Sequence, residues 1–406
     1  MKTIKFQTRI ALACFFLATL MGVLLRAFPL ADPGFTYRYM VHGHSHIALL
    51  GWVYLALTTL MCLLFLPEKK LNAAFRKISG VTWLSLAGML VTFPLVGYRP
   101  VSIVFSTLFI LVSYVFAWFF IKHTPKALRQ RNSWKCLRAG LFYMMLSSLG
   151  PWSLGIIMNT LGSTSVWYKT AVYFYLHFQY NGWFITALCG FLFYILETGG
   201  IKIPKSRFRL FYRLLNGGII LSFFLSVLWT GPYTSFHVLG LTGGLLQAAA
   251  FILLCNMLRN RKGRPKPGNR LSGRVLFLFR FSGVLLAVKL LLQYLSGMPV
   301  LSDVVYRITE FVIGYLHLTF LGVISTALLG LLLHFRLIRI PAVAMPIYLL
   351  AFLVTEGLIF YKAVALWQNW PVPGHYYLLL LAGSFLFPVA TGILLLNNRK
   401  SPWHYR

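Results

Sequence analysis

Acidic residues are nearly missing from this chain: Asp and Glu together number 6 among 406 residues, beside 38 Lys and Arg. A carboxylate cage for a hard cation such as calcium is therefore excluded, because such a site needs several oxygen ligands in one place. Charged residues of every kind make up 11% of the chain and hydrophobic residues 59%, against about 25% charged in an ordinary soluble domain, so a soluble enzyme is excluded too. Cysteine is equally sparse. Cys14, Cys62, Cys136, Cys189 and Cys255 stand singly in or beside apolar runs, with no CxxC and no CxxCH, which removes a disulfide framework and a c-type haem attachment. HExxH is also missing, and with it the usual helix of a zinc hydrolase.

What the chain has in quantity is apolar runs of membrane-spanning length. Runs of about twenty residues between charged or Pro/Gly-rich breaks predict spans near 8–29, 41–66, 78–97, 101–121, 137–158, 168–196, 212–230, 236–258, 275–295, 304–334, 340–364 and 375–396. The expectation is an all-α, polytopic helix bundle forming a single transmembrane domain over 1–406. The first run follows Lys2, Lys5 and Arg9 as a signal peptide would, but it is long and lacks a clean small-residue cleavage site, so it is read as a span. The N-terminus and every second loop hold 31 of the 38 basic residues. By the positive-inside rule this predicts cytoplasmic N- and C-termini in a cell inner membrane. The net charge of +32 is then topological: the partner is the lipid bilayer, with anionic lipid at the basic loops, and nucleic acid drops out. The most basic loop, 259–274, reads as a flexible connection.

Ionisable side chains inside a bilayer are costly, and each is a functional hypothesis by default. Of ten histidines, His123, His334, His375 and His404 fall at span ends. The other six, His42, His44, His46, His177, His237 and His317, all lie on even-numbered spans. His46, His177 and His317 are each about five or six residues into their spans, about 8 or 9 Å deep at 1.5 Å per residue, with His237 at the boundary. Imidazoles in one layer, in a bundle with few carboxylates, suit haem iron or copper. Each single histidine can instead be a core residue bonded to a carbonyl. HSHIALLGWV (44–53), YLHFQYNGWF (175–184) and YLHLTFLGVI (315–324) share His, four residues, Gly. On an α-helix that Gly lies about 140° from its His, which points to close helix packing.

With HSHIALLGWV, FLPE (65–68), HFQYNG (177–182), FHVLG (236–240) and YLHLTF (315–320), the chain resembles the catalytic subunit of the heme-copper oxidase superfamily, in particular its nitric oxide reductase branch. The resemblance implies His46 and His317 as axial ligands of a b-type haem; His44, an addition to the family pattern on span 2, is an alternative ligand. It implies His177 and His237 as ligands of a second metal, copper or non-haem iron; two imidazoles are a thin set, and the third donor would be His42 or His44, or a bound water. Three positions depart from the family pattern. Tyr315 replaces the first His of the span 10 pair, which would carry the catalytic haem. A second His is missing beside His237, and Asn181 stands four residues after His177.

The expected function is a membrane-bound b-type haem protein like a shortened oxidase or reductase subunit, with one-electron redox or diatomic-gas handling near the outer face and a redox partner subunit or cytochrome. Two other readings stay open: a non-enzymatic haem or copper sensor or stress protein, and a proton-coupled secondary transporter. For the latter, Glu310 and Glu356 are the relay candidates, with Lys289 as a partner for Glu356. Asp303, Glu310 and His317 are spaced by seven and would share one helix face.

Overall fold

In the computed structural model the described residues are 2–32, 34–68, 74–231, 233–260 and 271–399. Lys69, Lys70, His404 and most of the basic loop 259–274 lie outside them. Among the described residues twelve helices are long and apolar enough to cross a membrane. They are α1 (Lys2–Ala27), α2 (Tyr37–Phe65), α3 (Ala74–Val96), α4 (Pro100–His123), α5 (Asn132–Thr160), α6 (Val166–Thr198), α7 (Lys205–Thr230), α8 (Thr234–Arg259), α9 (Gly273–Leu295), α10 (Thr309–His334), α11 (Ala344–Gln368) and α12 (Tyr376–Asn397). The protein is an all-α polytopic bundle, as the apolar runs predict. With no water to satisfy a backbone in hydrocarbon, helices are the structures that such runs can form. One boundary differs. The tenth run breaks at Ile308, which takes φ −107° and ψ 96° between a short helix, Pro299–Arg307, and α10. Asp303 therefore does not share a helix face with Glu310 and His317. It pairs instead with exposed Arg307 at 3.0 Å, one turn along its own short helix.

The helices group into two compact units, one of residues 1–125 and 328–406, the other of 126–327. In the first, α1 is built into the packing: Phe15 stacks on Trp52 of α2 with centroids 4.4 Å apart, and the Thr19 and Thr391 hydroxyls lie 3.0 Å apart across α1 and α12. Gln7 ties α1 to two neighbours, donating to Thr58 Oγ1 of α2 at 3.1 Å and accepting from Ser79 Oγ of α3 at 2.9 Å. Such polar ties and small-residue contacts hold helices together where lipid supplies no hydrophobic drive.

In the second unit α7 and α8 approach closely at Gly243, where a Cβ would sit 2.2 Å from the Ser222 backbone nitrogen. Gln247 of α8 donates to Gly218 O at 3.1 Å and to Ser222 Oγ. Against α5, the glycine side of α6 meets Tyr143 at Gly182 and Leu137 at Gly190. Ser282 Oγ of α9 donates to Val323 O of α10 at 2.9 Å.

Candidate functional site

The three histidines of the His-x4-Gly segments have a common backbone setting. Each is the last α-helical residue before a π-helical stretch: Ile47–Tyr54 after His46, Phe178–Phe184 after His177, and Leu318–Ser325 after His317. A π-helix bonds i to i+5, is rare, and occurs frequently at functional sites. Gly51 meets α1 while His46 meets α3, and Gly182 meets α5 while His177 meets α7, so each of these glycines packs against a different neighbour from its histidine. The packing role expected of these glycines holds at two of them. A Cβ on Gly51 would lie 2.8 Å from Cys14 Cβ of α1, and one on Gly182 would lie 2.6 Å from Tyr143 Cβ of α5.

In the first unit α2 sorts its histidines onto different faces. His42 and His46, four residues apart, face α3 and the following turn. The His46 ring stacks on Phe93 at 4.2 Å, and the His42 ring meets Tyr98 edge-on at 4.6 Å. His46 Nδ1 lies 2.7 Å from the carbonyl of His42, and this contact makes Nδ1 the protonated nitrogen and leaves Nε2 out of the bond. His44 turns toward α1, with Nδ1 2.9 Å from Ala18 O and the ring beside Gly22. His42 and His46 are therefore neighbours, and His44 is held apart from them.

The second unit contains a buried polar chain that runs from α7 through α6 and α9 to α10. His177 is 2% exposed. Its Nε2 donates to Ile219 O at 2.8 Å, while its Nδ1 faces Asn181 Nδ2 at 3.3 Å and Ser226 Oγ at 3.4 Å. Asn181 Oδ1 accepts from the Lys289 ammonium, which is wholly buried and also donates to Gln293 Oε1 one turn along α9. Tyr315 OH donates to the same Gln293 oxygen at 3.1 Å, and the Tyr180 and Tyr315 rings lie 5.8 and 5.7 Å from the ammonium. Sequence reasoning paired Lys289 with Glu356; the structure gives it two neutral amides and two rings. The signal for Gln293 was there in its place four residues after a lone lysine on an apolar run.

The other candidates are dispersed. His237 is half-buried, with Nδ1 2.9 Å from Gly297 O, a tie from the start of α8 to the turn after α9. His317 is half-buried on α10, and Glu310 is half-buried in the first turn of the same helix. Glu356 is 6% exposed on α11 in the first unit. Among the described residues no three His, Cys, Asp or Glu side chains come together as a metal would require. His177 has both ring nitrogens in hydrogen bonds, and among the described residues of the second unit no other imidazole is bonded to it. The arrangement does not fit the second metal expected at His177, His237 and His42.

No protein-family model matches the chain, and no curated protein matches it.

Proposed function

We propose that the protein is a membrane-bound b-type haem protein working in one-electron transfer or diatomic-gas binding, without the second metal of a reductase. The observation that carries this reading is the setting of His46: it ends an α-helical stretch at a π segment, its ring is packed on Phe93, and its Nδ1 is held by a backbone carbonyl. A carbonyl at Nδ1 fixes the tautomer and the ring plane and leaves the Nε2 lone pair for a metal, the arrangement that metal-ligating imidazoles need. An iron porphyrin, when bound, supplies the redox change and the gas-binding position. His46 would hold that group, with Phe93 and Tyr98 as aromatic, water-excluding neighbours of its ring.

The residues around Tyr315 favour electron transfer over catalysis. Its hydroxyl is bonded to Gln293, and a neutral phenol is a far poorer iron ligand than imidazole. Asn181 is occupied by Lys289 and His177 and offers no carboxylate to give or take a proton. The membrane of residence that fits the basic loops is a bacterial-type inner membrane with both termini on the cytoplasmic side.

The test is an optical spectrum of the purified protein, oxidised and dithionite-reduced. Haem bands that vanish in His46→Ala support the reading. Protein that carries no haem when expressed with ample haem supply refutes it.

A further inference from the structure

The second unit carries a cleft unrelated to the histidines. It lies at the basic end of the bundle, where α5 begins, α6 ends and α7 begins, and has a volume of about 470 Å³. Four cations line it, Arg131, Lys135, Lys205 and Arg209, with Phe208 and Tyr212 on its wall. One acid lines it as well, and that acid already has an occupation. The Glu197 carboxylate accepts from the backbone nitrogens of Asn132 at 2.7 Å and Ser133 at 3.2 Å, and from Ser133 Oγ at 2.5 Å, so it caps α5. Among the described residues no ion pair joins Glu197 to any of the four cations. Lys205 and Arg209 are four apart on α7 and present one face. Lys135 reaches over the Phe208 ring at 5.8 Å. Four cations gathered round a hollow, with their one acid engaged elsewhere, make a site that is short of negative charge.

We infer that this cleft binds a phosphate group, that of an anionic phospholipid headgroup at the membrane surface. Three observations favour the lipid source. The cleft opens at the ends of three membrane-spanning helices, where headgroups lie. Its cations stand on the side with the excess of Lys and Arg, which attracts anionic lipid. The buried Phe208 and half-buried Tyr212 give an apolar wall for glycerol and the upper acyl carbons. Arginine and lysine together suit a phosphodiester, arginine through paired N–H donors and lysine as a point charge. This inference does not rest on the haem reading.

The experiment titrates the intact protein in an uncharged detergent at physiological salt, where long-range attraction is screened. Phosphatidylglycerol, phosphatidylcholine and inorganic phosphate are the three probes, with bound molecules counted by native mass spectrometry. Lys205→Gln/Arg209→Gln is compared with Lys202→Gln/Arg213→Gln, which removes the same charge from exposed positions outside the cleft. The expected result is saturable binding of one phosphatidylglycerol, weakened about tenfold or more by the first pair and less than threefold by the second, with phosphatidylcholine weaker than both. Saturation by inorganic phosphate alone, with the same dependence on Lys205 and Arg209, supports the phosphate site and assigns it to a soluble source. Equal losses in the two double variants, or none in either, overturn it. Melting curves of all three proteins establish that the variants are folded.

Discussion

Replacing Gly182 by alanine tests whether the π segment of α6 is held in place by its neighbour. The new Cβ would sit 2.6 Å from Tyr143 Cβ and 2.7 Å from Tyr143 Cγ, well inside carbon–carbon contact. Tyr143 cannot simply swing aside, because its hydroxyl donates to Asn216 Oδ1 at 2.9 Å and its ring is stacked near Phe178 with centroids 5.9 Å apart. Overpacking a filled interior costs about 1–3 kcal/mol, and breaking the Tyr143 bond adds about 1 kcal/mol. The expected loss is about 2–4 kcal/mol, read as a lower midpoint in thermal or SDS-driven unfolding of the detergent-solubilised protein. Gly155→Ala on α5 is the control. Nothing lies within 4 Å of its added Cβ, and alanine has the higher helix propensity by about 1 kcal/mol. A Gly182→Ala protein as stable as the wild type, with Gly155→Ala no better, would refute the packing argument.

Gly51→Ala should behave in the same direction through Cys14 of α1, and Cys14→Ala in the same chain should restore part of the loss in the same unfolding assay. His177→Ala should lower stability by about 1–3 kcal/mol through the orphaned Ile219 carbonyl and Asn181 amide, while iron and copper measured by elemental analysis stay unchanged. Glu197→Gln should cost about 0.5–2 kcal/mol as a lost charged cap on α5, visible as a shifted unfolding midpoint. A pyridine haemochrome assay against protein concentration should give about one haem per chain, with little oxygen or nitric oxide turnover. Two haems with a carbon monoxide-binding component would restore the reductase reading.

The spans were legible because their signal is the sum of many side chains: all twelve helices fall where the apolar runs predict, most within a few residues at either end. The break at Ile308 was not legible. Its run stays apolar through 304–308 apart from Tyr306 and Arg307, and only the Asp303–Arg307 pair and Pro299 mark a separate turn. At the candidate site the histidines of α2 were found, but not their sorting. His42 and His46 against His44 follows from the 3.6-residue repeat; which face meets α1 and which meets Phe93 depends on packing between residues far apart in sequence. The π segments were invisible for a related reason. The repeated His-x4-Gly was read on an α-helical wheel, and the shift to an i→i+5 ladder changes that wheel inside the repeat itself. The Lys289 chain joins α6, α9 and α10 across more than a hundred residues, a separation that no local pattern spans.

Each π segment also bears on how the chain tolerates changes of length. Bonding i to i+5 in place of i to i+4 gives the turn one residue more than an α turn holds. A deletion elsewhere in a helix rotates everything beyond it by about 100° and turns core faces outward. A deletion within 47–54, 178–184 or 318–325 can instead be absorbed as the wide turn relaxes to an α turn, with both flanks keeping their facing. The sites beside His46, His177 and His317 are thus where α2, α6 and α10 can lose a residue without losing their register.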